Sequence, residues 1–102
     1  MIQINGTIQL APGTVAARPD VVEAIKAMVA ASRAEDGCYT YTFAQDMSDP
    51  DVVIIYERWR DREALAAHGA SAHMAEFQKV MAANPPVGRD LRIYETDDGA
   101  PL

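Results

Sequence analysis

The chain has 102 residues, 49% hydrophobic and 24% charged, with a net charge of −6; that fits one globular domain and excludes wholesale disorder. A surplus of acid disfavours a phosphate-binding surface, so nucleic acid is not an expected partner. The single cysteine, Cys38, cannot close an intrachain disulfide, no apolar run approaches the ~20 residues of a membrane span, and no signal-like start is present, so the expectation is a cytoplasmic protein with no membrane partner.

Residues 2–10 alternate, with Ile2, Ile4, Ile8 and Leu10 on one side and Gln3, Asn5, Thr7 and Gln9 on the other. This period of two predicts a strand, closed by Pro12-Gly13. Pro19 opens a helix, because the N–H it lacks has no partner in a first turn. Asp20 and Glu23 lie near the positive end of its dipole, and Val22, Ile25, Met28, Val29 and Ser32 trace one face. Gly37 is placed to stop it. From Cys38 to Asp46 the period is two again, with Tyr39, Tyr41 and Phe43 on one face and Cys38, Thr40, Thr42 and Ala44 on the other. Met47-Ser48-Asp49-Pro50 has turn chemistry.

Asp51 to Arg60 is the strongest strand, and Val52, Val53, Ile54 and Ile55 make it apolar on both faces. A chain this short has helix enough for one face of a sheet, so the open face is expected to take a second copy of the chain. Asp61 and Ser71 are placed to cap two short helices, the second with Met74, Phe77, Val80 and Met81 on one face and a stop at Asn84-Pro85-Pro86. A last strand runs from about Gly88 to Thr96. The order βαββαβ predicts an α+β, ferredoxin-like fold with a four-stranded antiparallel sheet. One domain is expected over residues 1–96, with 97–102 a flexible acidic tail.

No dinucleotide fingerprint, P-loop, zincin, C-x-x-C or nucleophile-elbow motif is present. His68 and His73 stand five apart across a predicted helix break, so no shared metal is expected, and one cysteine excludes an iron–sulfur cluster. The residues of chemical interest concentrate between Glu57 and His73. Glu57 and Trp59 share a strand face with Val53 and Ile55; if that face meets the helices, a carboxylate, an indole and the His68 imidazole line one largely apolar pocket. The plainer roles are a core position for Trp59, an ion pair for Glu57 and a dipole-stabilised helix end for His68. His73, on one face with Phe77, is either a core histidine or a second pocket group. Asn5 is either hydrogen-bonded at the sheet surface or aimed into the cavity. Tyr39 and Tyr41 either contact a ligand or pack between subunits.

Read together, Glu35-Asp36-Gly37-Cys38-Tyr39-Thr40-Tyr41, Asp46 through Asp49-Pro50, Glu57-Arg58-Trp59, Ala64-Leu65-Ala66-Ala67-His68 and Ser71-Ala72-His73-Met74 make the chain resemble the antibiotic biosynthesis monooxygenase domain family, small quinol monooxygenases included. The resemblance spans nearly the whole chain. It implies a homodimer of ferredoxin-like subunits, a dimeric α+β barrel joined through the open sheet faces, with a pocket between sheet and helices. It implies oxidation of a small quinol-like or polyketide-like aromatic by O₂, with no cofactor, metal or flavin. On it His68 is the general base or stabilises the phenolate, Trp59 is an aromatic wall, Glu57 orients the histidine or a substrate hydroxyl, and Arg58 faces the partner; Asn5, Tyr39, His73 and Phe77 are the candidates for substrate contact. Haem-degrading relatives place a histidine near where Gln78 stands, so haem is not expected. The alternatives are a non-catalytic dimeric module holding a small hydrophobic metabolite, and a purely structural dimerisation domain.

Overall fold

The computed structural model describes residues 1–102. Its elements are β1 (Ile2–Gln9), α1 (Thr14–Ala17), α2 (Pro19–Arg33), β2 (Cys38–Asp46), β3 (Asp49–Trp59), α3 (Arg62–Gly69), α4 (Ala72–Ala83) and β4 (Gly88–Glu95). The four strands make one antiparallel sheet in the order β2-β3-β1-β4, the split arrangement of an α+β ferredoxin-like fold. Two boundaries differ from the sequence reading. The turn Thr14–Ala17 is helical in its own right, tied down by Asp51, whose carboxylate accepts from the N–H groups of Gly13 and Val15. The β2–β3 turn is also tighter, because β3 already begins at Asp49.

Register assigns the faces. Ile4 pairs with Glu57 and Ile93, Gly6 with Ile55 and Leu91, and Ile8 with Val53 and Arg89. Of these, Val53, Ile55 and Glu57 are buried, as are Ile2, Leu10 and Trp59, so this is the face the helices cover. The alternate residues Ile54 and Tyr56 are respectively 41% and 38% exposed, so the apolar second face of β3 is open in the single chain. Gly6 is the one residue that the β1–β4 pairing tolerates at its place. Its φ is +144°, and a Cβ there would stand 1.9 Å from the carbonyl oxygen of Asp90.

The β2 face assignment needs a correction. A bulge between Cys38 and Thr40 leaves Tyr39 without a register partner, so Cys38, opposite Trp59, shares the covered face with Tyr41 and Phe43. Tyr39 itself is 56% exposed. The core falls into two clusters. One centres on Ile2, Met28, Tyr41, Trp59 and Ala64, the other on Leu10, Val53 and Ile55. No helix is long and apolar enough to cross a membrane.

Candidate active site

Helix α4 has no fully buried residue. It meets the sheet only through partly buried side chains such as Met74, Phe77 and Met81, and the space beside them is the site. One cavity of about 240 Å³ is lined mainly by apolar groups, among them Tyr41, Phe43, Met74, Phe77 and Met81, with Glu57, Gln78 and Arg89 as its polar groups. A second, of about 360 Å³, is bounded by Ile4, His68, Arg92 and Ile93. The two share Glu57, Met74, Arg89 and Leu91 as a common wall. Apolar walls with a few convergent polar groups are the usual build of a small-molecule site.

The polar groups are held by separate elements. Asp61 caps α3 by accepting from the N–H of Ala64 at 2.8 Å, and Ser71 caps α4 by accepting from Met74 at 3.2 Å. The Ser71 hydroxyl also donates to the carbonyl of His68 at 2.6 Å, closing the joint between the two helices. His68 is 3% exposed, its ring 4.6 Å from the Trp59 indole and 5.2 Å from the Tyr41 ring, centroid to centroid. Its Nδ1 lies 2.8 Å from Oε1 of Glu35, and the same oxygen meets Nε2 of His73. A carboxylate accepts only, so in the neutral imidazole the proton sits on Nδ1 and the lone pair on Nε2. The ring's one hydrogen bond is through Nδ1, and His68 lines the second cavity.

Glu57 is the other buried ionisable group. The Trp59 indole N–H donates to its Oε1 at 2.9 Å. Burial pushes its pKa above the ordinary value of 4.5, against the smaller opposing effects of that hydrogen bond and of His68. The folded chain therefore holds this proton more tightly than the unfolded chain. The stabilisation is full below pH 4.5 and is lost as pH rises through the folded value. Glu57→Gln keeps an oxygen for the indole and cannot ionise. It is expected to melt above the wild type at about pH 8 and to lose that advantage by about pH 4. Thermal unfolding of both proteins across this range checks it, the difference cancelling the other carboxylates. Tyr41 is likewise kept a neutral phenol, its pKa raised by burial and by Glu57.

Of the residues singled out in the sequence, Tyr41, Glu57, His68 and Phe77 line a cavity. Trp59 is wholly buried and stands behind the site, touching both Glu57 and His68. His73 turns away from both cavities toward Glu35. Asn5 lies on the opposite sheet face, across from Tyr56 and Arg92, and Tyr39 sits at the bulge outside both cavities. Three participants escape the sequence reading. Arg89 alternates with Leu91 and Ile93, a pattern that places it on the covered face. Met74 is legible only as a core residue. Glu35 lies in the α2–β2 loop, and no spacing connects it with α3.

Comparison with known proteins sets this geometry among relatives. The model of a family described as antibiotic biosynthesis monooxygenase matches residues 1–80. Protein sll1783 of Synechocystis, uncharacterized, is 32% identical over 91 residues, covering 82% of this chain and 62% of that protein. A Mycobacterium tuberculosis protein named "Putative monooxygenase Rv0793" is 35% identical over 65 residues, covering 60% of this chain and 63% of its own. The chain thus spans less than two thirds of either relative's length. In fold it is similar to a crystal structure titled "putative antibiotic biosynthesis monooxygenase" from Deinococcus radiodurans. The TM-score is 0.85 at 22% identity, covering 100% of this chain and 98% of that one.

Proposed function

Because the chain belongs to the antibiotic biosynthesis monooxygenase family, we propose that it oxidises a small electron-rich aromatic, a quinol or anthrone-like phenol, with O₂ in the cavities under α4. The observation that carries this reading is the hydrogen bond between buried His68 and partly buried Glu35, with the imidazole in the wall of the second cavity, where it adjoins the mainly apolar one. Such a base takes a proton from a phenolic hydroxyl or an activated methylene. The resulting anion gives an electron to O₂, and the radical pair collapses to a carbon-bound peroxide. The peroxide recovers the proton from the imidazolium and then loses water to leave a carbonyl. A methylene plus O₂ thus becomes a carbonyl plus water, and the substrate itself supplies every electron.

Charge narrows the substrate. Eight of the nine lysines and arginines donate a hydrogen bond or form an ion pair within the chain; Arg89 does neither, and it lines both cavities. The aromatic we propose carries a phenolate or carboxylate for Arg89 to meet. The open sheet face, with Ile54, Tyr56 and Tyr94 exposed, is read as the seat of a second copy of the chain.

The test is oxygen uptake by chelator-treated protein against reduced quinols and anthrone-like phenols, each set against its own autoxidation. Saturable uptake is expected. Arg89→Leu is expected to raise KM for carboxylated substrates about tenfold with little change in kcat, the signature of lost ground-state binding. Uptake no faster than autoxidation, with an aromatic ligand still raising the melting temperature, would replace the enzyme by a module that binds a small hydrophobic metabolite.

A further inference from the structure

The helix break between α3 and α4 does not separate the two histidines. Ser71 folds the joint back, and the rings of His68 and His73 come to 5.9 Å, centroid to centroid. Glu35 meets both from the α2–β2 loop. That loop is fixed in turn by Gly37 (φ +81°), whose carbonyl accepts from the N–H of Arg60 at 2.8 Å and where a Cβ would strike the Cβ of Ala64. Three donor atoms, Oε1 of Glu35, Nδ1 of His68 and Nε2 of His73, thereby lie within 4.8 Å of one another. We propose that Glu35, His68 and His73 form a binding site for a divalent first-row transition metal ion of the Zn²⁺ class.

The donor set suits that class. Two imidazole nitrogens and one carboxylate oxygen are borderline ligands, and one ion serves all three at about 2.0–2.1 Å. Tetrahedral bonds of that length set the donors roughly 3.3 Å apart, so small rotations of the side chains suffice. His68 is held by Trp59 and Tyr41, and the Glu35 side chain is only 15% exposed, so two of the three ligands are largely ordered before any ion arrives. His73, 26% exposed, is the most accessible of them. An approach exists. Glu35, Asp36 and Glu63 line a surface cavity of about 310 Å³, and Arg60 in the same wall is already engaged by Asp36 and Asp61. The entrance is therefore acidic on a chain of net charge −6. Water reaching Glu35 through it completes the coordination.

Occupancy also has a consequence for catalysis, which rests on the base role proposed above. An imidazole bound to metal through Nδ1 keeps its proton on Nε2. His68 so ligated cannot accept a proton from substrate, and the ion acts as an inhibitor that competes with the Glu35 hydrogen bond.

Calorimetric titration of the chelator-treated full chain with Zn²⁺, and the visible absorption of its Co²⁺ form, test the site. One ion per chain is expected, with affinity reduced at least about tenfold in His73→Ala and in Glu35→Gln. No saturable uptake, or uptake that neither substitution weakens, overturns the site. Oxygen uptake measured at saturating Zn²⁺ separates the two readings. Inhibition supports both, whereas a bound ion that leaves the rate untouched keeps the metal site and removes His68 as the base.

Discussion

His68→Ala is expected to lower kcat for oxygen uptake by roughly 10²–10⁴-fold, the usual contribution of a positioned general base, with KM changing far less. The imidazole lies almost wholly inside the protein, against Trp59 and Tyr41, so its removal leaves a hollow of its own shape. Added imidazole is expected to restore part of the rate, which a merely destabilised variant would not show. Glu35→Gln provides an independent check. A carboxylate can only accept, and so it fixes the His68 proton on Nδ1; an amide can turn its NH₂ toward the ring and leave the proton on Nε2, where a base is needed. The wrong tautomer is costly in enzymes built on a carboxylate–histidine pair, and a fall in kcat of about 10²-fold or more is expected here. If His68→Ala retains its fold by circular dichroism and its rate stays within a few-fold of the wild type, the proton leaves by another route and the assignment is wrong.

The sheet is legible in the sequence because a strand's side chains alternate rigidly. Once Ile2, Ile4, Ile8 and Leu10 are placed inward, Asn5 must face the other way, as register with Tyr56 confirms. The same rule fails at Tyr39, because a single unpaired residue resets the alternation and nothing in Gly37-Cys38-Tyr39 announces a bulge. The caps at Asp61 and Ser71 are legible because one side-chain oxygen reaching the N–H three residues on is a local event. The histidine pair is half legible. The break between α3 and α4 can be read from Gly69 and Ser71, but its angle depends on the Ser71 hydroxyl finding the His68 carbonyl, and that angle brings His73 round to Glu35. Partners 33 and 38 residues apart leave no periodic trace. The sequence offers Glu57 as a group that orients either His68 or a substrate hydroxyl; in the folded chain Glu57 accepts from Trp59, and Glu35 holds the histidine.

Trp59→Ala is expected to cost about 3–5 kcal/mol, against a total stability of roughly 5–15 kcal/mol for a domain of this size. The indole has no exposed surface and stands at the junction of sheet, α3 and the site. Its ring packs edge-on to Tyr41 at 6.2 Å, centroid to centroid, and supports the His68 ring, while its N–H satisfies Glu57. Truncation removes the largest side chain in the first core cluster and strands a carboxyl group that burial already disfavours as an anion. Trp59→Phe separates the two losses. It keeps most of the apolar packing and deletes the donor, so about 1–3 kcal/mol is expected, the cost of a buried acceptor left unpaired. That cost is expected to grow with pH, because the Glu57 anion needs the N–H more than its protonated form does. Urea unfolding of the three proteins at acid and neutral pH distinguishes the contributions. A Trp59→Phe penalty that is the same at both would mean that Glu57 finds another donor, or remains protonated throughout the range.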